Sequence, residues 1–144
     1  MVTGMLHLHS ILRWIILVLL LITLFHAFAR KEALKKSSLF LLIAAHTMFV
    51  IGIYQVIAGR YGYTKPLPAG VNWIKDDFYR FYWLEHPLLM LISIGLITAA
   101  RTKAKVLNYK SAGWLLLIAL LIILAAIPWP FRNVGAGRAW FPGM

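Results

Sequence analysis

His9 and Arg13 stand four residues apart near the start of the first long apolar stretch of this sequence, and Glu85 and His86 stand side by side near the start of the third. On a helix, a spacing of four puts two side chains on one face. A neutral imidazole in an apolar setting can ligate a metal or a haem iron or pass a proton, and a guanidinium can hold a carboxylate through paired hydrogen bonds. Ionisable groups inside a bilayer are costly and rare, so they mark a functional site unless packing alone explains them. The packing explanation here is a buried salt bridge of Glu85 with Arg13 or Arg80 that fixes helix register. For Arg13 alone it is snorkelling toward the headgroups beside an interfacial Trp14. His46, isolated in the middle of the second stretch, is either part of a cofactor site or a hydrogen-bonded packing residue, whereas His7 and His26 fall at stretch ends.

The chain around these residues is strongly apolar: 62% of its 144 residues are hydrophobic and its mean hydropathy is +0.80, where about half would be usual for a soluble domain. It reads as an integral membrane protein. The absence of cysteine excludes disulfides, thiolate nucleophiles, iron-sulfur clusters and covalent c-type haem attachment, so a metal or haem would depend on histidine. The net charge of +11 does not point to nucleic acid. Arg30, Lys31, Lys35, Lys36, Arg101, Lys103, Lys105 and Lys110 are concentrated in two short segments between apolar stretches, the pattern of cytoplasmic loops facing anionic lipid.

Four spans follow, at about 5–29, 38–58, 78–100 and 108–127, each long enough to cross a hydrocarbon core of about 30 Å at about 1.5 Å per residue. Ala27, Phe28 and Ala29 have the form of a signal-peptide cleavage site, but no basic segment precedes the first span, so it is expected to remain as a span. Residues 59–77, with Pro66, Pro68 and Gly70, form an outer loop, and Pro128 and Pro130 end the fourth span before an outer tail, 128–144, that contains Arg138. The fold expected is all-α, an integral membrane antiparallel four-helix bundle in one domain, with both termini on the periplasmic side of the bacterial inner membrane.

Depth along ideal helices puts His9, Arg13, Glu85 and His86 roughly 5–12 Å inside the outer boundary and His46 near the midplane. His9 and His86 are thus the pair able to meet, with Arg13, Glu85, Tyr54 and Gln55 around them. Pro87 cannot donate to the carbonyl of Trp83, which predicts an orphaned acceptor and a disturbed helix one residue from His86. No nucleophile elbow, HExxH or phosphate-binding glycine loop occurs.

The segments His7 to Trp14, Phe81 to His86 and Ile127 to Arg132 resemble, over essentially the whole chain, a family of small bacterial four-helix membrane proteins that go under the label cytochrome B. That family is loosely similar to the cytochrome b561 and copper-resistance-D type bundles. The resemblance implies a b-type haem or a quinone, electron transfer near the outer face, and His9 and His86 as axial ligands, with Arg13, Arg80 or Arg132 available to the propionates. A different class of reading is a cofactor-free accessory or assembly subunit of a larger membrane complex, or a homo-oligomer, in which the same cluster is a structural lock. A proton or metal pathway is the third, and it is weakened because the first span is apolar inward of Arg13 apart from Thr23 and His26.

Overall fold

An apolar segment in lipid must satisfy its backbone polar groups internally, and a helix does so within one segment. A computed structural model describes residues 2–135 and 140–141. Its elements are α1 (Val2–Phe28), α2 (Leu34–Ala58), α3 (Asp77–Arg80), a π-helical turn (Phe81–Glu85), α4 (His86–Lys105), α5 (Tyr109–Ala126) and a closing 3-10 turn (Asn133–Gly135), with no strand among the described residues. Counting Asp77–Lys105 as one continuous rod, four helices are long and apolar enough to cross a membrane. Residues 136–139 and 142–144 of the expected tail lie outside the described residues.

The helices form a ring in the order α1, α2, α4, α5, with α1 closing against α5. This leaves α1 and α4 on opposite corners. Short turns reverse the chain between α1 and α2 and between α4 and α5, and contacts at one end tie the reversals together. His26 Nδ1 and Ser37 Oγ share a 3.0 Å hydrogen bond, and Arg101 donates to the carbonyl of Lys35 at 2.8 Å. Small residues make the tightest seam: Ala100 and Ala104 of α4 and Ala112, Ala119 and Ala126 of α5 are fully buried, which lets the two backbones approach closely. Leu20, Leu41, Ile97 and Leu116 fill the centre, while Val18, Phe25, Phe40, Val50, Leu91 and Leu121 point outward. Helices apolar on both inner and outer faces are what a bilayer requires.

Two boundaries differ from the sequence reading. Lys35 and Lys36 lie within the first turn of α2, and Arg101, Lys103 and Lys105 lie on the last turns of α4, so most of these cations sit on helix ends rather than in loops. Lysine and leucine are good helix formers, and cations are favoured at a helix C-terminus. The turns themselves close through Arg30 (φ 51°) and Leu107 (φ 54°) in the left-handed region. Lys31 N–H bonds to the carbonyl of His26 and Asn108 N–H to that of Lys103, the hydrogen bonds of a Schellman cap.

The disturbance expected at Pro87 takes the form of the π-helical turn, in which His86 N–H reaches back five residues to the carbonyl of Phe81. The carbonyl of Trp83, deprived of a donor by Pro87, accepts instead from Tyr63 Oη at 2.6 Å, and Trp83 Nε1 donates to the carbonyl of Tyr61 at 2.6 Å. These two bonds clamp the 59–76 segment over the start of the third rod. Tyr63→Phe removes one of them, and thermal unfolding in detergent is expected to show a loss of about 1 kcal/mol; an unchanged unfolding temperature would show that this clamp carries no stability.

Candidate functional site

Two imidazoles meet in the middle of the ring. His9, from α1, and His86, from α4, face each other across the bundle with ring centroids 6.3 Å apart and planes inclined by 58°. They line a cavity of about 400 Å³ bounded by all four long helices, within the range of about 300–1,000 Å³ typical of small-molecule sites. Its walls along α4 are His86, Met90, Ser93 and Ile97, and along α2 Ala45, Met48, Gly52 and Gln55, each set on one helical face. Gln55, Arg60 and Tyr82 add polar groups outward of the histidines, and Arg13 adds one a helical turn inward of His9. The inner end is apolar apart from Ser93, whose hydroxyl donates to the carbonyl of Leu89 within its own helix at 2.9 Å.

The orientation of His86 originates in the proline-rich end of α5. Pro128 lacks an amide hydrogen and pushes Ile127 into an extended conformation (φ −70°, ψ 129°), ending the helix at Ala126. Pro130, four residues beyond Ala126, also has no N–H to offer. The last carbonyls of α5 are therefore met by side chains. Leu124 accepts from Trp129 Nε1 at 2.9 Å, Ala125 from Arg132, and Ala126 from His86 Nδ1 at 2.7 Å. A carbonyl only accepts, so Nδ1 carries the proton and the lone pair of the neutral ring is on Nε2. This is the arrangement by which a backbone carbonyl fixes the tautomer and raises the basicity of a ligating histidine.

Pro128→Ala together with Pro130→Ala restores the missing donors, extends α5 and takes the Ala126 carbonyl from His86. Ligand affinity at the site is expected to fall by roughly 10- to 100-fold, while the unliganded protein keeps or gains thermal stability. A double variant that binds as tightly as wild type would remove the role given to this carbonyl.

On the α2 wall, a Cβ on Gly52 would have one neighbour within 4.0 Å, His9 Cε1. The missing side chain leaves room directly beside the imidazole. Gln55 contributes an amide nitrogen that is buried with no hydrogen-bond acceptor among the described residues, a donor held toward the space that a ligand would fill. Arg13 donates through Nη2 to the carbonyl of Trp140 at 2.8 Å and lies 5.2 Å from the Trp14 ring centre. Trp14 Nε1 donates to the same carbonyl at 3.1 Å. Trp140 and Phe141 are thereby folded back against the middle of α1, where Phe141 stacks on Trp14 at 5.3 Å.

Of the residues singled out in the sequence, the structure brings His9, Arg13 and His86 to the cavity, with Gln55. Glu85 is not part of it. Its carboxylate accepts from Arg80 Nε at 2.8 Å, and Arg80 also meets Asp77 at 2.7 Å, so of the two partners expected for Glu85, Arg13 and Arg80, it pairs with Arg80. The cause is the π-helical turn, in which residues five apart come together. His46 is exposed on the outer surface of α2, where Nδ1 donates to the carbonyl of Leu42 at 2.9 Å, so it does not join the other histidines. Tyr54 does not line the cavity either. Arg132, a sequence candidate for holding a carboxylate, caps the end of α5 and lies 5.4 Å from the Phe81 ring centre. Arg60, beyond the end of α2 and after the extended Gly59, also lines the cavity and was not among the sequence candidates, since no helical periodicity reaches it.

The separation of the two ring centres is compatible with one metal ion between the imidazoles. A ring nitrogen sits about 2 Å from a coordinated transition metal, and the ring centre lies about 1 Å further, so two opposed ligands have centroids roughly 6 Å apart, as His9 and His86 do. No family model, curated protein or solved structure matches this chain.

Proposed function

We propose that this protein is a multi-pass b-type haem protein of the bacterial inner membrane, with both termini periplasmic, that transfers electrons near the outer face. The observation that carries the reading is the 6.3 Å separation of the His9 and His86 rings from opposite corners of the bundle. It is supported by the Ala126 carbonyl that leaves the His86 lone pair on Nε2. It also accords with the resemblance of the three flanking segments to the family labelled cytochrome B.

His9 and His86 would hold the iron, and Arg13, Arg60 and Gln55 would be available to its carboxylates, to which charge-assisted hydrogen bonds are strong. When bound, the haem supplies a one-electron carrier whose potential the axial ligands and the surrounding dielectric set. The chain's own contribution is to fix both rings, to keep water from the inner end with Met48, Met90, Ile94 and Ile97, and to balance the propionate charge.

The test is haem content by the pyridine haemochrome assay together with a reduced-minus-oxidised spectrum, on protein purified from cells able to make haem. One haem per chain is expected. Protein with no Soret band that co-purifies with a stable partner would overturn the proposal in favour of the cofactor-free accessory subunit.

A further inference from the structure

The end of the bundle remote from the two histidines concentrates positive charge with little to balance it. Glu32 is the one acidic residue among the eight cations of the two turns and the adjoining helix ends. Among the described residues, every ion pair belongs to Arg80 at the other end. Several of these cations are engaged locally: Arg101 donates to the carbonyl of Lys35 and to Ser38 Oγ, and Lys31 Nζ lies 5.0 Å from the Phe25 ring centre.

Arg30 and Lys110 are placed differently. They flank a cleft of about 470 Å³ between the two turns, with Tyr109 beside them and with Ala27, Phe28 and Leu107 as its apolar side. The cleft exists because of two features of the sequence. The Schellman turns bring Arg30 and Leu107 to its rim. Gly113, whose added Cβ would lie 3.3 Å from the Phe28 ring, lets that ring settle against α5, where it meets Trp114 edge to face at 6.3 Å.

Two unbalanced cations next to an apolar wall at the end of membrane-spanning helices match one chemistry, a phosphate attached to an acyl-bearing group. We propose that this cleft is a binding site for an anionic phospholipid, with Arg30 and Lys110 on the headgroup phosphate and Phe28 and Leu107 on the glycerol and upper acyl region. Clustered cations discriminate against zwitterionic lipids because the headgroup ammonium meets like charge, and basic pockets between membrane helices are suited to acidic headgroups. The site stands independently of any haem at the opposite end.

The test is native mass spectrometry of the detergent-solubilised full chain titrated with phosphatidylglycerol or phosphatidylcholine. Wild type is expected to retain phosphatidylglycerol in preference. R30Q/K110Q is expected to weaken that binding by roughly 10- to 30-fold and to leave phosphatidylcholine unchanged. K36Q/K103Q removes equal charge outside the cleft and is expected to keep the preference; circular dichroism checks that both variants fold. Equal loss in the two variants, or no preference in wild type, would overturn the site in favour of diffuse surface charge. Excess inorganic phosphate is expected to leave the lipid bound, and displacement by it would overturn the lipid assignment in favour of a soluble phosphate.

Discussion

Replacing His86 by alanine is expected to abolish the Soret band of the purified protein, and replacing His9 by alanine to do the same or to leave a weakly held pigment. The two rings hold one space from opposite helices, 6.3 Å apart at their centroids. On the proposed assignment, removing either would leave the haem with one histidine to hold it. The loss should exceed the roughly 10- to 100-fold that a supporting hydrogen bond contributes. The His86 variant carries a second consequence, since the Ala126 carbonyl loses the donor it has at 2.7 Å, so the unliganded protein should also lose about 1 kcal/mol of stability. His46→Ala is the matched control. That ring is exposed on α2 and bonded within its own helix, so haem content and spectrum should be unchanged. Equal haem loss from the His46 variant, or a normal spectrum from the His86 variant, would contradict the assignment of ligands.

Gly52→Phe is expected to empty the site with both histidines retained in the sequence. At this position a Cβ meets only His9 Cε1, at 4.0 Å, so a benzyl group would extend into the cavity beside the imidazole and occupy space that the cofactor needs. Haem content should fall by at least an order of magnitude. The fold should tolerate the change, because burying the added ring contributes about 1.5–3 kcal/mol where there is room for it. Gly52→Ala provides the graded comparison: its methyl group makes ordinary contact, helix propensity favours it by about 1 kcal/mol, and binding should survive. The measurements are haem stoichiometry and unfolding temperature of both variants. Gly52→Phe protein that retains full haem would show that the cofactor lies elsewhere.

The spans were legible because apolar length is a direct requirement of the bilayer. The meeting of His9 and His86 followed from equal depth on helices running the same way. Proline chemistry was also legible in outline, since the carbonyl of Trp83 is orphaned by Pro87, although nothing in the sequence identified Tyr63 as its new donor. The order of helices around the ring was not legible. Each helix is apolar on its core face and on its outer face, so no amphipathic stripe tells one from the other. The same ambiguity hid the outward turn of His46, one residue out of step with the cavity face that contains Ala45 and Met48. Sequence left Glu85 two partners, Arg13 and Arg80, and only the π-helical turn, which brings residues five apart together, decides for Arg80. The role of Ala126 is invisible in any side-chain pattern, since it acts through a carbonyl that becomes available only where two prolines end α5.

The proposed haem would be held by the two rings, with the Ala126 carbonyl behind one of them and Gly52 beside the other. Electron paramagnetic resonance of the oxidised, purified protein at low temperature tests that most directly. The account predicts a low-spin ferric signal, the mark of two strong nitrogen ligands, at one iron per chain. A high-spin signal, or protein from haem-replete cells with no iron at all, would contradict it.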